Sequence, residues 1–135
     1  ETALQIFQAS LEIRERLMAA DPGNAEWQRD LAISHNRTGD VFMAQGNLEA
    51  ALGAYRVGID ITERLAARDP DNAEWQRDLI VSHYNIAQAG DDAGAHYRRA
   101  LEIATTMEEK GVLAPSDAFI PGLLRDLIAE LDAAE

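Results

Sequence analysis

The 135 residues predict an all-α fold built from repeated helix pairs, and three observations carry that expectation. Residues 21–35 read DPGNAEWQRDLAISH and residues 69–83 read DPDNAEWQRDLIVSH, 12 identities in 15 positions at an offset of 48 residues. Self-similarity at a fixed period marks a repeat protein, whose units stack because none can bury its apolar face alone. The composition is 47% apolar with only 4 Pro and 9 Gly, and it is rich in Ala, Leu, Glu, Arg and Gln, which lose little freedom in a helix. Apolar residues recur at three- and four-residue spacing rather than alternating, which is the period of a helix and not of a strand.

Six helices follow in order. Residues 2–20 carry Leu4, Phe7, Leu11 and Met18 on one stripe and Ile6, Ile13 and Leu17 on another, and Asp21-Pro22-Gly23 stops them. Asn24 is an N-cap residue, and Glu26 puts a carboxylate in the first turn where the helix dipole favours it. That second helix runs to about Gln45 and turns at Gly46-Asn47. The third, 48–67, buries Leu48, Ala51, Leu52, Tyr55, Ile59, Thr62 and Leu65. Asp69-Pro70-Asp71 repeats the stop and Asn72 the cap, and a fourth helix reaches about Gln88. A fifth, 92–110, ends at Gly111 in a left-handed cap. The last begins between Ser116 and Pro121, because proline is tolerated only in a first turn, and its stripe is Leu123, Leu124, Leu127, Ile128 and Leu131.

Length and composition predict one domain, residues 1–135: a helix of a partial first repeat at 2–20, a repeat at 24–67, a shortened repeat at 72–110 and a capping helix at 116–133. The formal charge of −12, from 24 acidic and 12 basic residues without a basic cluster, argues against nucleic-acid partners, whose phosphates need clustered Lys and Arg. Cysteine is absent, which excludes disulfides and thiolate metal sites. No run approaches the roughly 20 apolar residues of a membrane span, and the N-terminal ETALQIFQ is not a signal sequence, so a cytoplasmic protein with no membrane partner is expected. Beginning inside a repeat and without Met, the chain reads as a fragment of something longer.

This spacing resembles the tetratricopeptide repeat, a helix-turn-helix unit of about 34 residues patterned W-x-x-L-G-x-x-Y, A-x-x-x-F, then Pro. The second half of the motif stands three times, as Ala3 and Phe7, Ala51 and Tyr55, Ala93 and Tyr97, followed three positions on by Ser10, Gly58 and Ala100. In the first half, His35, Thr38, Gly39 and Phe42 take the places of Trp, Leu, Gly and Tyr, and His83, Ile86 and Ala87 keep the size ordering. The period of 48 exceeds the family's by 14 because each helix has gained seven residues, about two turns, which preserves the buried face. The interval from Tyr55 to Tyr97 is 42, so the fourth helix ends early, as before a capping helix.

The resemblance implies a right-handed α-solenoid and a non-catalytic scaffold that binds a protein or peptide in a concave groove. Matched residue by residue, that groove holds Ile33, Asn36, Asp40 and Met43, then Val81, Tyr84 and Gln88, with Arg29 and Arg77 on the added turns. The Lys and Asn clamp that chaperone-binding members use for a C-terminal carboxylate is not reproduced. The alternative is a self-assembly or intramolecular regulatory segment of a larger signalling protein, packing as a homodimer or against its parent through Leu4, Ile6 and Ile13 of the first helix.

Other residues invite chemistry and are better read as structure. Trp27 and Trp75, each in the first turn after a cap, serve to cover the neighbouring repeat; if fully buried, truncation to Ala would cost about 3–5 kcal/mol. Ser34-His35 and Ser82-His83 suggest a hydrolase, but adjacent helical residues point about 100° apart and cannot pair as nucleophile and base. His35, His83 and His96 lack the i, i+4 spacing of a helical zinc pair. No enzyme, cofactor or metal is expected. Eleven Arg against one Lys suggest a bacterial, GC-rich source.

Overall fold

A computed structural model describes residues 2–21 and 23–134 and contains six α-helices and no strand among them. Pro22 of the first stop and the side chain of Met18 in the first stripe lie outside what is described. The chain divides into two compact units, Glu1–Arg68 and Asp69–Glu135. No helix among the described residues is long and apolar enough to cross a membrane.

The first unit holds α1 (Thr2–Ala20), α2 (Ala25–Ala44) and α3 (Leu48–Arg68), with α2 packed on both α1 and α3. Asn24 caps α2 by accepting the Trp27 N–H at 3.1 Å, which satisfies one of the donors that a helix start leaves free. The turn to α3 uses Gly46 at φ 76°, a conformation that costs other residues a steric penalty. α2 and α3 run antiparallel, since Arg68 reaches Gln28 at one end while Tyr55 reaches Asp40 toward the other.

The closeness of that hairpin rests on two glycines. A Cβ at Gly39 would lie 2.6 Å from Cδ1 and 2.9 Å from Cζ of Tyr55, so the ring occupies the space a side chain there would need. A Cβ at Gly58 would meet Asn36 Oδ1 and stand 3.3 Å from the Ala32 carbonyl oxygen. Small residues thus let the backbones approach and the aromatic fill the space.

α1 divides its two stripes between α2 and water. Leu11 is 8% exposed and Leu4 and Phe7 are half-buried, whereas Ile6, Ile13 and Leu17 are 58%, 57% and 40% exposed. Among the residues assigned to the α3 core, Leu48 departs from expectation: it is exposed, because it opens the helix beside the turn, where α2 has already ended.

The second unit holds α4 (Ala73–Gln88), α5 (Ala93–Glu109), a 3-10 turn (Pro115–Asp117) and α6 (Ile120–Ala134), with α5 packed on α4 and α6. Asn72 repeats the cap on the Trp75 N–H at 3.0 Å. α4 ends at Gln88, and the short Gly90-Asp91-Asp92 connection puts Asp92 in the left-handed region at φ 46°, where Asp is among the few tolerated side chains. Gly111 closes α5 at φ 72°, with the Val112 N–H returning to the Met107 carbonyl. α6 starts at Ile120, later than Ser116, because residues 115–117 form the 3-10 turn; Pro121 sits buried in its first turn. Leu124 and Ile120 take the inward positions, which turns Leu123 outward.

Candidate functional site

The residues assigned to a binding groove lie at alternating four- and three-residue spacing, Arg29, Ile33, Asn36, Asp40 and Met43 on α2 and Arg77, Val81, Tyr84 and Gln88 on α4. In the first unit, Ile33, Asn36 and Met43 are half-buried and Asp40 is exposed. Asp40 Oδ1 accepts the Tyr55 hydroxyl at 2.5 Å, and Asn36 Oδ1 is buried against Gly58 without a hydrogen-bond partner. Burial, with the Asp40 hydrogen bond and charge adding to it, raises the Tyr55 pKa and keeps the phenol protonated.

The same device recurs in the second unit with different chemistry. Gln88 Nε2 donates to the Tyr97 hydroxyl at 2.5 Å, and Tyr84 packs on Tyr97 with ring centroids 6.0 Å apart and planes at 54°. Asp40 and Gln88 occupy equivalent places 48 residues apart, and each locks the aromatic of the following helix. Burial raises the Tyr97 pKa as well, against the Gln88 hydrogen bond, which lowers it. On α2 the half-buried apolar groups are Ile33 and Met43, beside the engaged Asp40; on α4 the half-buried apolar group is Val81, beside the engaged Gln88.

Arg77 is held within its own unit. Its Nε donates to Asp117 Oδ2 at 2.7 Å and its Nη2 to Oδ1 at 3.2 Å, a bidentate pair that ties α4 to the 3-10 turn. Asp117 is 5% exposed, and its hydrogen bonds raise the Arg77 pKa further.

The histidines differ between repeats. His35 is half-buried, and desolvation lowers its pKa against the opposing charge of Glu15. His83 is 6% exposed, and its Nδ1 stands 2.9 Å from His96 Nδ1 across α4 and α5, with ring centroids 5.1 Å apart. Its Nε2 is buried without a partner. Burial first, then the charges of His96 and Arg99, push its pKa down to about 4. One ring must donate to the other; the tautomer with the proton on His83 Nδ1 leaves only a lone pair buried at Nε2, which costs less than a buried N–H.

Ser34 Oγ donates to the Asp30 backbone carbonyl four residues back, and Ser82 Oγ is buried without a partner. Trp27 and Trp75 are half-buried rather than fully covered. Trp27 lines an open cleft of about 350 Å³ with Ser10, Ile13, Arg14, Leu17 and Asp30, between α1 and α2. Of the three edge residues, Ile6 and Ile13 are exposed while Leu4 turns toward α2 and is half-buried. Among the described residues, no three His, Cys, Asp or Glu side chains converge as metal ligands.

Sequence reasoning did not anticipate the Tyr–Asp and Tyr–Gln locks, the His83–His96 contact or the Arg77–Asp117 pair. The first had a signal, a polar residue 15 positions before Tyr55 and 9 before Tyr97, the difference being the six-residue deletion. Compared with known proteins, the chain matches no family model, no curated protein and no solved structure.

Proposed function

We propose that this chain is a non-catalytic interaction scaffold, a variant tetratricopeptide-like right-handed α-solenoid that binds a peptide or protein along the α2 and α4 faces. The observation that supports this most is the repeated hairpin: the same asparagine cap and the same tyrosine lock recur in both units, on identical or equivalent residues. Each hairpin presents a long helical face, and the half-buried Ile33 and Met43 of the first and Val81 of the second supply apolar contacts that an extended or helical peptide can use. The reading includes a bacterial, cytoplasmic setting. Panning the chain against a peptide library and mapping binders by side-chain NMR tests it. Shifts centred on Ile33, Met43, Val81 and Tyr84 are the expected result; binders that perturb only other surfaces, or none, refute the groove.

A second reading, a self-assembly or intramolecular regulatory segment, is favoured by the exposure of Ile6 and Ile13 on α1. Sedimentation equilibrium tests its homodimeric form, which predicts an association that Ile13→Glu abolishes.

A further inference from the structure

We propose that the outward stripe of α1 is a docking face for a helix of the α2/α4 type, one carrying the pattern N-A-E-W-Q-R-D-L-x-x-S-H that this chain writes twice. The inference deepens the second reading by naming the occupant of that edge.

Three helices, α1, α3 and α5, occupy equivalent places in the repeat. Aligned on Phe7, Tyr55 and Tyr97, α1, α3 and α5 place Ser10, Gly58 and Ala100 at one position, Ile13, Ile61 and Ile103 at the next, and Leu17, Leu65 and Met107 at the last. Ile61 and Leu65 are 6% and 1% exposed, and Ile103 and Met107 are 4% and 5% exposed, but Ile13 and Leu17 are 57% and 40% exposed. The chemistry is the same and the exposure is not. α3 and α5 each lie against the helix that precedes them, α2 and α4, and it reaches this side of them: Gly58 meets Asn36 and Ala32 of α2, and His96, the counterpart of Ile6, meets His83 of α4. An α2-type helix therefore lies on this side of α3 and again of α5, in contact with the Gly58 and His96 positions of the same stripe.

Two further features agree. Arg68 bonds Gln28, which puts the tryptophan end of α2 beside the C-terminal end of α3. Shifted back by 48 residues, an incoming tryptophan arrives at the Leu17 end of α1, at the mouth of the cleft that Ile13, Arg14 and Leu17 line together with Trp27 and Asp30 of α2. In a chain of charge −12, α1 is balanced, Glu12 and Glu15 against Arg14 and Arg16, so an acidic helix is not repelled there.

The test is fluorescence anisotropy of a labelled, end-blocked peptide of residues 24–45 titrated with the intact chain. Saturable binding is expected, weakened about tenfold or more by Ile13→Glu, because a carboxylate would be forced into an apolar contact. Val57→Glu, at an exposed position of α3, should leave it unchanged; Ile13→Glu also separates docking on α1 from displacement of the chain's own α2, which that substitution would not affect. Leu17→Gln serves as a second stripe variant, and circular dichroism confirms that each variant is folded. No binding, or binding indifferent to both stripe substitutions, overturns the inference. If the peptide fails while the chain dimerises through Ile13, the named occupant is wrong and the edge reading stands; if neither occurs, both fall.

Discussion

Lowering the pH from about 7 to about 5 should destabilise the second unit through His83. The imidazole is 6% exposed, and a proton added to it would put a second N–H into a site where Nε2 has no partner, beside His96 and Arg99. Its pKa is about 4 when folded against 6.5 unperturbed. A folded-state pKa below the unfolded one means that the unfolded chain binds more protons between those values. The His83 contribution is therefore complete above about pH 6.5 and is lost as the pH falls toward 4. Linkage over the interval from pH 7 to 5 gives a loss of about 2 kcal/mol from this one side chain. Ordinary carboxylates, with pKa values near 4, contribute little above pH 5. Urea denaturation of wild type and His83→Gln at both pH values isolates the contribution of this imidazole, since glutamine can still hydrogen-bond His96 but does not titrate. His35, shifted in the same direction, is common to both proteins and cancels. Equal losses in the two proteins would refute the reasoning.

Other substitutions probe the packing. Gly39→Ala should cost about 1–3 kcal/mol in chemical denaturation, because the new methyl must displace the Tyr55 ring, whereas Gly53→Ala, exposed inside the same hairpin with nothing within 4 Å, should cost nothing or stabilise. Tyr55→Phe and Tyr97→Phe should each cost about 1 kcal/mol by the same measurement, the net worth of one hydrogen bond. Arg77→Ala should destabilise the second unit more than Asp117→Asn does, since it strands a carboxylate only 5% exposed while the asparagine stays neutral; equal melting temperatures would remove the asymmetry. Trp27→Ala and Trp75→Ala should fall below the 3–5 kcal/mol of fully buried rings, because both are half-covered.

The duplicated DPxN stretch, the Ala and aromatic spacing and the apolar period were enough, without coordinates, to place the helices and both asparagine caps, because caps and amphipathic stripes are written in neighbours three and four residues apart. The two stripes of α1 were separable in the same way, but which of them meets α2 was not. That is decided by where the hairpin turns aim the next helix, and the structure buries Leu11 while leaving Ile6 and Ile13 in solvent. The candidate groove was legible as a row of positions and not as chemistry: Asp40, Gln88 and Arg77 read as free surface groups until their partners 15, 9 and 40 residues away were brought beside them. The His83 pKa is of the same kind. A histidine's neighbours in the chain do not set its desolvation; the helix packed across from it does, and that is fixed only when α5 closes on α4.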